Sequence, residues 1–492
     1  MRGSSATLFF ELFWWSLAAA FLFSTFYLPP KTSNVISLGA LPFLFLFRHF
    51  WNKMMKSFTS WEVLLFDSTS TPGKIPLILF SLLWLLYFAN ISIGVFKSPD
   101  TEVQWQQVLN FQFDDWHPIT HTFCIWLITC IYRSYLFFLF VQATLYAFVV
   151  TMLYKVLLKY CHIRKDISLA VALLISLHPA MMNHLCVAWK DTAMAIAFLG
   201  ITVCLIPLAV TRGKWLQSPV AMLTFILLVL LGSLFRHNAI FFTFPLLFFL
   251  VFSIEKKFLF RYILTALSIL ILYTSVQGGI RFYTQQQSAP SAEVSQTYIE
   301  VIGIPLGILA NTATKAPYRL PDDVRNFMLD IAPFAEWQKY REGNFNYLKF
   351  KHYQSLTNSL SRVPPAKFAS MVIRTSLHSP QSAISAIFNH IIPFWTITTW
   401  PGFQVALLLF AGLLTFPLLR WQILPFFFPV FCYQAGTSLL MSSIYDTRFY
   451  LYAIPVCLPT IVLLLTLHYN ALSGRETEKV PEQKQKFATE KE

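Results

Sequence analysis

The sequence predicts an all-α polytopic membrane protein, and two observations carry that prediction. Of its 492 residues, 56% are hydrophobic and only 12% are charged, whereas soluble domains average roughly 25% charged residues. Apolar runs of about 20 residues, the length that crosses roughly 30 Å of hydrocarbon, recur along the chain. Because backbone polar groups cannot stay unpaired in lipid, these runs predict a bundle of helices.

The apolar runs predict about twelve membrane spans. The first run, Thr7 to Leu28, is too long for the core of a signal peptide and is expected to be an uncleaved span. The predicted spans cover residues 7–29, 35–50, 75–96, 134–156, 167–186, 190–210, 216–235, 237–253, 259–277, 402–419, 422–442 and 447–468.

Charge sets the predicted orientation. An even number of spans places both termini on one side, and basic residues are concentrated in the intervals on that side. By the positive-inside rule that side is cytoplasmic. These intervals are residues 51–74, 155–166, 211–215, 255–261 and Arg420.

Several function classes are disfavoured. The net charge of +14 would suggest nucleic acid in a soluble domain, but here the positive-inside rule explains it. The seven cysteines form no C-x-x-C pair, which argues against structural zinc or a disulfide framework. The sequence has no P-loop, Rossmann fingerprint or H-E-x-x-H. We therefore expect no cofactor and no nucleic-acid partner, and nothing in the sequence supports a divalent-cation site.

The predicted organisation has four parts. Residues 1–277 form an N-terminal transmembrane module whose outer-face catalytic loop covers 97–133. Residues 278–401 form a mostly helical external domain, since apolar positions recur at helical spacing between proline-containing breaks. Residues 402–470 hold the C-terminal spans, and the polar, charged segment 471–492 is expected to be a disordered cytoplasmic tail.

The outer loop carries the first candidate catalytic residues. Asp100 and Glu102 stand just past a membrane exit. A carboxylate at a low-dielectric boundary can hold a raised pKa and take a proton from a substrate hydroxyl. The alternative is a solvated loop acid without a catalytic role.

A second group in this loop is Asp114-Asp115-Trp116-His117-Pro118. Pro118 can start a helix at its first turn, and the apolar stretch that follows is expected to be an interfacial helix. Asp115 and His117 would then lie near its N-terminus, with His121 one turn on. The alternative is that Asp114 or Asp115 caps the helix.

Three further polar turns are predicted on the same outer side: Lys190-Asp191, Arg236-His237-Asn238, and Asp446 to Tyr450, which contains Arg448. Lysine and arginine are phosphate binders, and an arginine in a tight hairpin between spans is a functional candidate by default. The alternatives are an ordinary interfacial anchor at Lys190 and an ion pair between Asp446 and Arg448.

These motifs resemble those of GT-C glycosyltransferases. The first external loop of that superfamily commonly reads Asp-Glu, spacer, His-Pro-Pro, and this chain has Asp100-Thr-Glu102 and His117-Pro118-Ile119. Asp100 with Gln104, followed by Asp115-Trp116-His117-Pro118 and Thr122, is more similar to bacterial multispan GT-C-like proteins, which also carry a Lys-Asp and an Arg-His-Asn hairpin.

The motif resemblance covers about residues 75–280, and the rest is similar only in layout. That layout, with its long outer segment late in the chain, also resembles the serotype-converting glucosyltransferases that modify the O-antigen of bacterial lipopolysaccharide.

The resemblance implies a GT-C-like bundle in the bacterial inner membrane whose active site faces the periplasm. The implied reaction is an inverting transfer of a sugar, here taken to be glucose, from a polyprenyl-phosphate donor to a lipid-linked surface glycan. Asp100 inherits the role of base by position, Asp115 is the alternative, and Thr101 leaves the role of Glu102 open. The candidate catalytic residues are Asp100, Asp115, Glu102 and His117; the phosphate-binding candidates are Arg236, Lys190 and Arg448; other substrate contacts are expected from Gln104, Trp116, His121, Asp191, His237, Asn238 and Tyr450.

Two other function classes remain open. A flippase or transporter of lipid-linked sugars would place charges deep within the spans and on both faces, whereas here the polar clusters are predicted at one face. A polymerase or ligase of lipid-linked glycans could use the same basic residues with a lipid pyrophosphate donor.

Overall fold

The structure is a computed structural model, which describes residues 74–114, 117–287, 296–340, 347–348, 351–395, 400–440 and 451–472. Throughout these ranges the ordered elements are helices, with no strand among them. The predicted spans 7–29 and 35–50, most of the predicted tail, and the candidate residues Asp115, Trp116, Arg448 and Tyr450 lie outside the described residues.

Each span predicted after residue 74 corresponds to helix in the structure. Four predicted spans differ in form. Residues 167–186 are two helices, and 259–277 belong to a longer helix that ends at Gln287. The predicted spans 216–235 and 237–253 contain the shorter apolar helices Pro219–Leu234 and His237–Ser253, which are not among the candidate spans. The helices of this part are α1 Lys74–Gly94, α2 Pro99–Asn110, α3 Ile119–Ile131, α4 Tyr135–Tyr160, α5 Lys165–Ser176, α6 Pro179–Leu185, α7 Lys190–Val210, α8 Pro219–Leu234, α9 Ile240–Leu250 and α10 Lys256–Gln287.

Six of the described helices are long and apolar enough to cross a membrane, or up to eight candidates if each of two bent pairs counts as one span. The bent pairs are Ile78–Gly94 with Pro99–Asn110, at 96°, and Lys165–Ser176 with Pro179–Leu185, at 54°. A proline disfavours helical backbone at the preceding residue, so Pro99 and Pro179 account for the breaks. The predicted count of about twelve spans stays a prediction.

The segment predicted as the catalytic loop 97–133 contains two helices, α2 and α3, and this corrects the expectation that Asp100 and Glu102 lie in a loop. Ser98 is the N-cap of α2, its hydroxyl accepting from the backbone N–H of Thr101, and both acids lie in the first turn. A serine cap followed by proline and acids is a helix-start signal, and it was readable in the sequence. Phe111 ends α2 in the left-handed region, with φ of 53°.

The described residues after α10, in the segment predicted to be an external domain, form short helices around a hydrophobic core. Their position outside the membrane stays a prediction. The apolar positions Val324, Phe327, Met328 and Ile331 are all buried in that core. Its helices are α11 Gln296–Val301, α12 Gly303–Lys315, α13 Asp322–Ile331, α14 Phe334–Tyr340, α15 Tyr353–Arg362, α16 Pro365–His378 and α17 Pro380–Trp395.

The last three helices are α18 Trp400–Leu419, α19 Leu424–Leu440 and α20 Ala453–Leu472. Helix α19 packs closely against α9, and a Cβ on Gly436 would come within 2.5 Å of the Phe241 ring. Only glycine permits this approach, which holds α19 beside the Arg236-His237-Asn238 turn at the start of α9.

Candidate active site

The start of α2 is held against the turn that precedes α7. The indole Nε1 of Trp189 donates to Ser98 Oγ at 2.6 Å. The hydroxyl of Tyr135 donates to the carbonyl of Phe96 at 3.2 Å and accepts from the N–H of Ala188 at 2.9 Å. Asp100 is two residues after Ser98, and Lys190 follows Trp189 directly. These hydrogen bonds therefore bring the backbone near Asp100 close to the backbone near Lys190.

Lys190 and His117 meet although they belong to different predicted clusters. Lys190 Nζ lies 2.9 Å from His117 Nδ1. An ammonium group can only donate, so Nδ1 accepts and the proton of the neutral ring is on Nε2. His117 is buried and Lys190 is partly exposed. This contact ties the loop between α2 and α3 to the N-terminus of α7.

Asp191 and Arg236 form a buried ion pair. Arg236 Nε donates to Asn238 Oδ1 at 3.0 Å, and Asn238 Nδ2 donates to Thr437 Oγ1 at 2.8 Å. Both residues are candidates from the sequence, but no local sequence signal pairs Asp191 with Arg236. The carboxylate of Asp191 counters the charge of the guanidinium and fixes its orientation. Because Arg236 is buried and Lys190 is partly exposed, Lys190 is the more accessible of the two described phosphate-binding candidates.

Gln104 joins α2 to α3 through two hydrogen bonds. Its Nε2 lies 3.1 Å from His121 Nδ1 and donates to Thr122 Oγ1 at 3.0 Å. The His121 ring meets Phe235 edge-on, at 5.9 Å between ring centres, which places it beside the residue before Arg236. Burial, aided by the nearby charge of Lys190, lowers the pKa of His121 to about 3. His121 is therefore a neutral hydrogen-bonding group at physiological pH.

The environment of the Glu102 carboxylate differs from that expected of a catalytic base. Its carboxylate is on the surface, accepts from Gln106 Nε2 at 3.0 Å and lies 3.3 Å from Lys97 Nζ. The hydrogen bond from Gln106, followed by that from Lys97, lowers the pKa of Glu102. The expectation of a raised pKa is therefore wrong for Glu102. This residue is a solvated acid in the first turn of a helix.

Other predicted residues are placed as follows. Asp100 is partly buried and His237 is exposed. The N-cap of α3 is Pro118, so Asp114 does not cap that helix; Asp115, the other proposed cap, lies outside the described residues. Within the described part of the chain, no group of three or more histidine, cysteine, aspartate or glutamate side chains could hold a metal ion.

Sequence reasoning missed the residues that support the site. Ser98, Tyr433 and Thr437 hold Trp189 or Asn238 by hydrogen bonds. The cap signal at Ser98-Pro99 was available, but no local signal ties α19 to a turn almost two hundred residues earlier in the chain.

Gln104 and Gln107 offer a matched test of this packing, since both are buried on the same face of α2. Gln104 is hydrogen-bonded, whereas among the described residues neither amide atom of Gln107 has a hydrogen-bond partner. We expect Gln104→Met to lower the melting temperature of the detergent-solubilised protein and Gln107→Met to leave it unchanged or raise it. The difference should be about 1–3 kcal/mol, because an unsatisfied buried amide is destabilising. Equal destabilisation by both substitutions would contradict this hydrogen-bond assignment.

Comparison of the chain with known protein families, with curated proteins and with solved structures finds no match.

Proposed function

We propose that this protein is an inverting membrane glycosyltransferase of the GT-C type, with about twelve spans, acting at the outer face of the bacterial inner membrane. It transfers a hexose, for which glucose is our first candidate, from a polyprenyl-phosphate donor to a lipid-linked O-antigen or other surface glycan. The observation that supports this most is the meeting of separate polar motifs at one set of helix ends. There the Asp100 helix starts beside Lys190, Lys190 contacts His117, and Asp191 pairs with Arg236.

In the proposed reaction Asp100 is the general base. It takes the proton of the acceptor hydroxyl, whose oxygen attacks the anomeric carbon, and the bond from that carbon to the phosphate oxygen breaks. The phosphate leaves with the bonding electron pair and remains on its lipid. Asp100 is partly exposed at the start of α2, so an acceptor can approach it. Asp115 is the alternative base, with Asp100 then holding the acceptor.

Lys190 is the proposed partner of the departing phosphate. A positioned ammonium stabilises the charge that develops on the leaving oxygen, and it does so most strongly where water is excluded. Its contact with His117 orients the ammonium. In this proposal Arg236, held by Asp191 and Asn238, contributes positive potential from behind Lys190, and Arg448 is a further candidate for the phosphate.

The neutral polar residues near these charges are proposed to contact the sugars. His121 and Gln104 form a hydrogen-bonded pair, and Trp116, His237 and Tyr450 are further candidates from the sequence. The proposed reaction needs no nucleotide, since the lipid phosphate already activates the sugar.

Transport of lipid-linked sugars is the second candidate, and one observation favours it. The two bent helix pairs resemble the discontinuous helices at which many transporters bind their substrates. In this chain, however, the described contacts between charged motifs are at helix ends, which favours an enzyme.

Mass spectrometry of the surface polysaccharide, from cells with and without the protein, tests the proposed function. We expect one additional hexose per repeat unit when the protein is present. A change in chain length or in attachment to the lipid, with no added hexose, would instead indicate a polymerase or ligase.

A further inference from the structure

Helix α17, Pro380–Trp395, has an apolar side that the external domain does not cover. Ile384, Phe388 and Ile392 are 53%, 57% and 51% exposed. Residues four apart in a helix lie on one face, so these three side chains form a continuous line, which we call the apolar stripe. Exposed apolar lines of this kind mark interaction surfaces.

Contacts on the opposite face of α17 keep the apolar stripe turned away from the core of the domain. Ala383 and Ala386 are buried in the core of the external domain. The side chain of Asn311 on α12 donates to the carbonyl of Ser382 at 2.5 Å. The helix is therefore anchored through one face, and it cannot turn the apolar stripe inward without breaking these contacts.

Helix α17 lies next to candidate membrane spans. Helix α18 begins at Trp400, and its residues Gly402–Leu419 form a candidate span. Leu407 and Phe410 on that span are 41% and 64% exposed, as expected of lipid-facing side chains. Helix α17 also packs against α19, which forms most of the candidate span Trp421–Leu440. The stripe thus lies on a helix that is joined to one span and packed against another.

The chemistry beside the stripe fits a phospholipid surface. Neither α17 nor α16, Pro365–His378, contains an acidic residue. Lys315 Nζ donates to Ser385 Oγ at 2.8 Å, next to Ile384 in sequence. An apolar stripe with a basic side chain beside it is typical of helices that lie in the membrane interface.

We propose that α17 lies in the outer membrane–water interface, with the apolar stripe inserted among the lipids and Lys315 at the level of the headgroup phosphates. The external domain is then held on the membrane surface at three places: at the stripe and at its covalent connections to α10 and α18. This inference does not depend on the catalytic proposal, because it concerns lipid contact alone.

Depth-dependent quenching tests the proposal on the full-length chain. Ile384→Cys, Phe388→Cys and Ile392→Cys are introduced one at a time into a variant without the seven native cysteines, labelled with an environment-sensitive dye and placed in phosphatidylcholine nanodiscs. Lipids brominated near the headgroup should quench all three labels, because interfacial helices insert about 5–10 Å into the headgroup and acyl boundary. A matched control is Asn358→Cys, an exposed polar position on α15 of the same domain, which should not be quenched.

Quenching at Ile392 alone, or at none of the three positions, would overturn the proposal, because α17 would then leave the membrane surface. A second measurement retains the native cysteines: a photoreactive amino acid replaces Phe388, and the cross-linked product is identified by mass spectrometry. A phospholipid adduct is expected. A cross-link to a second copy of the chain, with no lipid adduct, would contradict the inference and identify a self-association surface.

Discussion

Replacing Asp100 by asparagine is expected to lower the rate of glycan transfer about 10²–10⁴-fold at equal protein level, the usual cost of losing a general base. Asparagine keeps the size and polarity of the side chain but cannot accept the acceptor's proton. The rate is measured as labelled hexose that appears on the surface glycan. Asp100 is in the first turn of α2 behind a serine cap, so the substitution should leave the helix folded.

Glu102→Gln is the matched control, since Glu102 is in the same turn but faces Lys97 and Gln106 at the surface. We expect it to retain most of the activity. Asp115→Asn completes the series: a loss in this variant with full activity in Asp100→Asn would assign the base to Asp115. Full activity in both variants would contradict the mechanism.

Arg236→Met is expected to destabilise the protein by about 3–5 kcal/mol, because it leaves the carboxylate of Asp191 buried without its partner. Asp191→Leu should cost a similar amount by leaving the guanidinium alone. The double variant Asp191→Leu/Arg236→Met should recover most of the loss, since replacing both members of a buried pair by apolar groups is often neutral. Thermal unfolding in a single detergent gives all three values.

The exposed pair of Arg164 and Asp166, whose side chains are 78% and 62% exposed, supplies the control. Asp166→Asn should change stability little, because water screens surface ion pairs. If Arg236→Met lowered stability no more than Asp166→Asn, the buried ion pair would contribute little to the stability of the fold. Arg236 would then be available as a direct phosphate ligand.

Much of the helical layout was readable from the sequence because its signals are local. Apolar runs marked the positions of the long apolar helices. The spacing of Val324, Phe327, Met328 and Ile331 marked a helix whose face is buried in the core formed by the helices after α10. Helix α2, in the predicted catalytic loop, also had a local signal at its start, the residues Ser98 and Pro99. It was missed because the acidic residues behind them suggested solvated loop chemistry.

The partners within the candidate site were not readable, because they depend on how distant helices pack. Lysine and aspartate adjacent in sequence suggest each other as partners, yet Lys190 contacts His117 and Asp191 pairs with Arg236. Successive residues of a helix point in directions about 100° apart, so neighbours in sequence commonly reach different elements. The sequence predicted these side chains as one group but left open which of them meet.

Reconstitution of the full-length protein tests the central claim most directly. The protein is inserted into liposomes that contain a polyprenyl-phosphate hexose with a radiolabelled sugar, and the surface glycan is supplied as acceptor. We predict that the label passes to the glycan, and that it stays on the lipid when the Asp100→Asn protein is used. Movement of the labelled lipid across the bilayer, with no label on the glycan, would contradict the account and identify the protein as a transporter.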